Sequence, residues 1–356
     1  MSKIKYILLI IFSFFIKNEI QAQYYNSAFG LNGTALKTAL HQIIKNHNAH
    51  TYNDLWTDFQ QSDKKQNGTV WDIYTDKPNG SPTYIFQFIS DQCGNYSAEG
   101  DCYNREHLWP KEKFNDGAPM ITDLHHIFPT DGWVNNKHAA YPMGNVSNAT
   151  YTSTNGTKLG NGAGYAAYND KIFEPIDSFK GDVARAYFYM STRYENEDAG
   201  WDNWAMANGA ELTQDAINIL LTWHHNDPVS QKEIDRNNAV ATLQFNRNPF
   251  IDYPEFADCI WGTGDCISLD IKENITENEL NIFPNPTSQI LHIEMKTVSQ
   301  ILNIYVIDFT GKIVLQKENN QTEKTCMLDT KNLSEGNYLL LVYTSKGNVR
   351  KVFSKK

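Results

Sequence analysis

The sequence predicts an α+β domain followed by a small β-sandwich, and three observations carry that prediction. Apolar residues recur at helical spacing at Leu36, Leu40, Ile43 and Ile44, and again at Leu212, Ala216, Ile219 and Trp223. Two runs, Thr69–Tyr74 and Tyr84–Ile89, have the β-branched and aromatic composition of strands. Beyond Cys266 the character changes: a polar stretch leads to Ile282-Phe283-Pro284-Asn285-Pro286 and then to short alternating runs at Ile290–Ile293, Ile301–Ile307, Ile313–Leu315 and Tyr338–Tyr343. Turns at Gly311, Gly336 and Gly347 separate them, as in a sandwich of short strands.

The chain opens with Lys3 and Lys5 before an apolar run from Tyr6 to Ile16, closed by the small residue Ala22. That order reads as a cleaved export signal over residues 1–22, because the run falls short of the ~20 residues that a membrane span requires. The mature protein is expected outside the cell or on its surface, after passage through the periplasm. Residues 23–266 form the expected catalytic domain, 267–279 a linker and 280–356 the C-terminal sandwich. Gly30–Asn48 is helical by period, with Asn32 or Thr34 able to cap it. Tyr52, Leu55, Trp56 and Phe59 suggest a second short helix, and Pro78-Asn79-Gly80 a turn.

Thr150–Gly164, rich in Thr, Asn and Gly, reads as a surface loop, and Gly181–Met190 as a deeply packed helix. Arg185 inside that helix is open to two readings, a buried ion pair with Glu174 or Asp182, or a phosphate ligand. Ser230 and Glu233 have capping-box spacing, and Ile234, Asn238, Ala241 and Phe245 would line one face of the helix they begin. Trp223-His224-His225 resembles a metal site only superficially, since the chain has neither HExxH nor GxSxG. Cys93 and Cys102 bracket one short loop, Cys259 and Cys266 another. In an exported protein two close pairs read as two disulfides. A zinc site from all four is the rival, disfavoured because the spacing is not CxxC and no histidine adjoins either pair. Cys326 is left over, as a free buried thiol.

Chemistry-bearing side chains crowd most densely into Asp101–Pro142, DCYNREHLWPKEKFNDGAPMITDLHHIFPTDGWVNNKHAAYP. A phosphodiester is anionic and repels nucleophiles, so its hydrolysis requires a cation on a phosphoryl oxygen and a base for water. The oxygens of Glu106 and Asn135 suit a hard cation such as Mg²⁺, with Mn²⁺ or Ca²⁺ as alternatives, and His107 suits the base. Adjacent residues on a regular strand point to opposite faces, so Glu106 and His107 can serve one site only at a strand end or an irregular turn. Pro110 fits a strand that stops there. An isolated Glu-His pair would more simply be a surface carboxylate beside a packed imidazole; the nearby His125, His126 and Asn135, interleaved with apolar residues, favour a site. His125 and His126 remain open between orienting that site and packing in the core.

NREHLWP, DLHHIFPTDGWVN, FEP, GDVARAYFYMSTRY, WHHNDPVS and QFNRNPFID follow one another between Tyr24 and about Pro254 in an order that resembles the bacterial endonuclease I family. The resemblance implies a mixed fold with a ββα-metal active site, His107 as general base, and Glu106 and Asn135 as ligands of Mg²⁺. It also implies a one-metal hydrolysis that leaves 5′ phosphates. Arg105 stands where related nucleases also place an arginine, and Arg105, Arg185 and Arg247 are the candidate substrate contacts. One departure concerns Lys137-His138, where many relatives have arginines. FPNPTSQILHI, DFTGKIVLQ, LSEGNYLLLVY and the Lys-rich end resemble the C-terminal sorting domain of the type IX secretion system, whose machinery would then be a partner. An unrelated adhesion or carbohydrate-binding module is the alternative for this segment.

Charge weighs against tight nucleic-acid binding. The chain has a formal net charge of −10, and residues 23–266 hold about 17 basic against about 30 acidic residues, the wrong sign for attraction to phosphates. The expectation is therefore a sequence-nonspecific degrader of DNA, with RNA as a second substrate. The alternatives are a secreted binding or adhesion protein with an inactive nuclease-like domain, and a phosphodiesterase acting on small nucleotides or phospholipids.

Overall fold

The computed structural model describes residues 24–25, 27–78, 80–166, 168–262, 279–296, 301–307, 313–318, 324–344 and 347–356. The export signal, Asn79 of the expected turn, Gly311 and nearly all of the linker lie outside them. The chain packs as two units, one over Asn32–Cys266 and one that takes in Ile267–Lys356.

In the first unit, α1 (Gly33–Ile44) buries Leu36, Leu40 and Ile44 as its period requires, with Asn32 at its N-cap. Helix α2 (Leu55–Ser62) buries Leu55 and Phe59, which join Val70, Phe86, Tyr103, Leu124, Ile127 and Val240 in one core. The two strands expected at Thr69–Tyr74 and Tyr84–Ile89 do not form. Val70 makes a single bridge to Lys64 and donates to the Phe86 carbonyl. The buried Asp72 carboxylate then accepts from the Tyr74 and Thr75 amides and the Thr75 hydroxyl. Such local side-chain bonds compete with a ladder and turn the chain.

Strand β1 (Tyr103–His107) pairs antiparallel with β2 (Ile127–Asp131), and α3 (Gly132–His138) follows at once. Asp131 ends β2 and caps α3, its carboxylate accepting from the Val134 amide. The stretch expected as a surface loop is a hairpin instead: β3 (Asn145–Thr152) pairs with β4 (Lys158–Ala163), and β5 (Ile172–Glu174) joins them. Its glycines belong to the packing, because a Cβ at Gly160 or Gly162 would collide with the carbonyls of Asn148 or Asn145.

Helix α4 (Asp177–Arg193) is buried over almost its whole length. Helix α5 (Gln214–Asn226) packs on it. Helix α6 (Gln231–Gln244) starts with the capping box of Ser230 and Glu233. The face expected for α6 is displaced, however: Ile234 is 38% and Phe245 72% exposed, whereas Glu233, Arg236, Asn237, Val240 and Gln244 are buried. A mostly polar face can be buried because every one of its polar residues finds a partner. Short helices α7 (Pro249–Asp252) and α8 (Phe256–Trp261) complete the unit.

The second unit is a two-sheet sandwich. Strands β6 (Leu280–Phe283), β7 (Ile290–Met295), β8 (Ile301–Ile307), β9 (Ile313–Glu318), β10 (Thr325–Asp329), β11 (Gly336–Thr344) and β12 (Gly347–Lys355) are arranged as β9-β8-β11-β12 and β10-β7-β6. Both sheets supply one core, which includes Leu291, Ile293, Ile304, Val306, Leu340 and Phe353. The four expected strands are present, together with three that the alternation did not reveal. Cys326 is a free, buried thiol.

Candidate active site

Glu106 and His107 are the last two residues of β1, still in register with Phe128 and Ile127, so their side chains leave on opposite faces and not on the single one that the sequence expectation required. The ladder passes beyond them through the Leu108 amide, which donates to the His126 carbonyl at 3.0 Å. Side chains on the two faces of β1 meet different surroundings. Asn104 and Glu106 face α3, where Asn135 Nδ2 donates to Asn104 Oδ1 at 2.6 Å and to the Arg105 carbonyl at 3.4 Å. Both partners accept, so the amide nitrogen is held against β1 and Asn135 Oδ1 is turned away from it.

Glu106 is nearly fully buried. Its Oε1 accepts from the Tyr74 hydroxyl at 2.7 Å and from His138 Nδ1 at 2.6 Å. Both bonds fall on one oxygen. Among the described residues Oε2 and Asn135 Oδ1 are therefore the two hard acceptors left open, a donor set that fits a small divalent cation completing its shell with water. No group of three or more His, Cys, Asp or Glu side chains placed to hold a metal occurs among the described residues.

His107 lies on the other face. Its Nε2 is 3.2 Å from the Ile121 carbonyl, and a carbonyl only accepts. The proton of the neutral ring is therefore on Nε2 and the lone pair on Nδ1. Burial above all, and then the neighbouring His126, push the imidazole down to about 3, against the opposing bond to Ile121. The ring is thus neutral at physiological pH, with the Nδ1 lone pair free of a proton. Tyr52, Phe114 and His126 surround it, with ring centres 6.1, 6.3 and 5.6 Å away.

The segment between β1 and β2 is held from behind. The fully buried Asp123 accepts from Tyr189 at 2.9 Å, from Tyr194 at 2.8 Å and from Gln244 at 3.0 Å. Arg236 donates to the Leu124 and Ile127 carbonyls, both at 2.8 Å, and pairs with Asp63. This is the work of the polar face of α6. It also separates the two histidines: His126 donates from Nε2 to the Met120 carbonyl and touches His107, whereas His125 packs at a tilt against Tyr189 and donates to the Asn246 carbonyl.

Two of the three arginines expected to meet substrate are spent inside the protein. Arg185 is fully buried, with Nε and Nη2 on the two oxygens of Glu233 at 2.5 and 2.9 Å and Nη1 on the Asp227 carbonyl. Its partner is neither Glu174 nor Asp182 but the capping-box glutamate, and the guanidinium is fully buried against it. Arg247 forks onto Asp252 at 2.6 and 2.7 Å, which neutralises it. Arg105 remains half-buried beside the site. His224 packs against Arg185 in the interior, and His225 pairs with Asp258 at the surface.

The sequence reading missed Tyr74 and His138. Tyr74 carried no signal, lying 32 positions from the carboxylate it serves. His138 carried one: it stands three residues after Asn135, hence on the same face of α3, and it occupies the place of the departure noted above. Cys93 and Cys102 are bridged. Cys259 is also disulfide-bonded, while Cys266 lies outside the described residues.

The family described as Endonuclease I is matched over residues 32–255, a span that includes β1, β2 and α3. The chain belongs to that family. Residues 281–356 match a secretion system C-terminal sorting domain, so this endonuclease I family member is exported, and no helix among its described residues is long and apolar enough to cross a membrane. It is similar to an extracellular ribonuclease of Bacillus amyloliquefaciens, 36% identical over 67% of this chain and 78% of the relative. An extracellular ribonuclease of Bacillus subtilis is 34% identical over the same shares. An extracellular deoxyribonuclease of Aeromonas hydrophila is 27% identical over 42% of this chain and 56% of its own length. The protein is accordingly a hydrolytic nuclease of a family that generally depends on a divalent metal.

Proposed function

We propose that this protein is an exported, sequence-nonspecific endonuclease that hydrolyses phosphodiesters in DNA and RNA and leaves 5′ phosphates. The observation that supports this most is the state of His107: a buried, neutral imidazole with Nε2–H fastened to the Ile121 carbonyl. His107 Nδ1 takes a proton from an attacking water, the water oxygen bonds to phosphorus, and the bond from phosphorus to the 3′ oxygen breaks. Glu106 Oε2 and Asn135 Oδ1 would hold the divalent cation, taken as Mg²⁺. When bound, it supplies positive charge to the phosphoryl group and the departing oxygen. Tyr74 and His138 keep the Glu106 carboxylate oriented. Because the nucleophile is an external water, the reaction has no need of a ribose 2′ hydroxyl, in keeping with relatives named for both ribonuclease and deoxyribonuclease. The sorting domain is taken to engage the type IX machinery.

Supercoiled plasmid and a single RNA transcript, each incubated with the purified protein and Mg²⁺ or with EDTA, test the proposal. Cleavage of both that EDTA abolishes is expected. An inert protein that binds either polymer would favour a binding role, and hydrolysis confined to mononucleotide esters would favour a small-molecule phosphodiesterase.

A further inference from the structure

Tyr52 lies over the catalytic histidine, its ring plane within 21° of that of His107. Two residues before His107 and on the same face of β1, the Arg105 guanidinium is 3.8 Å from the centre of the Tyr52 ring and 4.3 Å from that of Trp56. Its Nη1 donates to the Tyr52 carbonyl at 2.8 Å. The backbone beside Tyr52 is fixed as well, since Asp54 accepts from the Thr51 amide at 2.9 Å and from the Thr51 hydroxyl at 2.7 Å. Yet Tyr52 is 38% exposed. Ordering an aromatic side chain costs conformational entropy, and contacts with Arg105 and His107 hold this ring while part of it stays open to solvent. A ring held this firmly, open to solvent and next to the reacting atoms, is prepared for something that stacks.

The charge of the molecule says what that is. With a net charge of −10, and with Arg185 and Arg247 already paired, attraction to phosphates supplies little affinity. Base stacking on an aromatic ring is independent of sequence and requires no protein charge, and a guanidinium behind the ring strengthens it. We infer that Tyr52, backed by Arg105, is a nucleobase-stacking subsite beside the scissile phosphate, and that the preferred substrate is single-stranded nucleic acid. Bases in a duplex are already stacked and paired, so only an unpaired base can reach Tyr52. This inference rests on the nuclease reading above.

The test is a single-stranded oligonucleotide in which one phosphodiester alone is cleavable, all other linkages being methylphosphonates. It is made with normal bases flanking that linkage and, separately, with tetrahydrofuran abasic residues there. On the normal oligonucleotide, Tyr52→Ala should lower kcat/KM about tenfold and Tyr52→Phe less than about twofold, the loss expected for one base–aromatic stack. The abasic substrate should cost the unaltered protein the same factor, and Tyr52→Ala should then add nothing. Equal losses by Tyr52→Ala on both substrates would overturn the inference, because Tyr52 would then only support His107. So would the absence of any loss. If the unaltered protein cleaves neither oligonucleotide, the nuclease reading itself fails, which distinguishes the two failures.

Discussion

Glu106 and His107 are neighbours in the chain, and the protein surrounds them in opposite ways. Glu106 meets two donors, the Tyr74 hydroxyl and His138 Nδ1, which together favour a carboxylate with one oxygen engaged and one open. His107 meets an acceptor, the Ile121 carbonyl, and aromatic rings, which favour a neutral imidazole with a defined lone pair. The alternation of a strand end puts charge storage on one face and proton acceptance on the other. Two adjacent residues can thus take different roles because they share no partners.

The contrast can be broken most sharply at His107. His107→Ala should lower turnover by at least about 10²-fold, the usual contribution of a positioned general base, while the melting temperature stays close to that of the unaltered protein. A folded variant that cuts at the original rate would move the base elsewhere, and His126, which touches His107, would be the next candidate.

On the other face, His138→Ala should act through metal affinity. Losing a group that orients a ligand weakens metal binding by about 10- to 100-fold, which calorimetry with Mg²⁺ or Mn²⁺ would show directly. Restoration of full activity at saturating metal is expected, whereas a loss that metal cannot rescue would place His138 in the chemistry instead.

A smaller effect is expected from the Cys93–Cys102 bridge. Cys93 N donates to the Tyr103 carbonyl and Gly132 N to the Cys102 carbonyl, so the bridged loop is tied to the start of β1 and to the start of α3. Closing so short a loop stabilises by about 2–3 kcal/mol. Cys93→Ser with Cys102→Ser should reduce specific activity at 25 °C by a larger factor than the same change at Cys259 and Cys266, measured beside melting temperature. Full activity in a variant that has merely lost melting temperature would show that the bridge does not organise the site.

A further predicted effect, on stability and not on turnover, is seen against pH. Burial, as the leading cause, pushes His125, His126 and His224 down to about 4. At these three rings the unfolded chain therefore binds more protons than the folded one between about pH 4 and 6.5, whereas Asp131 and Asp182, pushed up by burial to about 6 and about 7, act in the opposite sense there. Stability from the three rings is fully present above 6.5 and is lost as pH falls toward 4, so their contribution to the melting temperature should fall across that window. Histidine ring-proton titrations in the folded protein with midpoints near 6.5 for these three would contradict it.

Much of this was legible in the sequence because it is local. The Glu106-His107 adjacency demanded a strand end, Pro110 marked one, and the periodicity of α1 and α5 and the capping box of α6 are all short-range signals. What was illegible is long-range or polar. Asp72 replaces an expected strand by gathering nearby amides as well as Thr130 and Asp131, about sixty positions on. The buried face of α6 is polar, so an apolar period selects Ile234 and Phe245, which are exposed. Arg185 could be a core ion pair or a phosphate ligand until Glu233 was found to serve both its own helix cap and that arginine. His138 stood out as a departure, but its role required knowing which face of α3 meets β1.

The division of labour at the end of β1 is tested most directly by titrating Mg²⁺ against turnover for Glu106→Ala, Asn135→Ala and His107→Ala in parallel, with plasmid as substrate. Removal of a ligand raises the metal requirement, and removal of the base does not. High Mg²⁺ is predicted to restore part of the activity of the first two variants and to leave His107→Ala inactive. Equal rescue of all three, or rescue of His107→Ala alone, would contradict the assignment of charge to one face of the strand and proton transfer to the other.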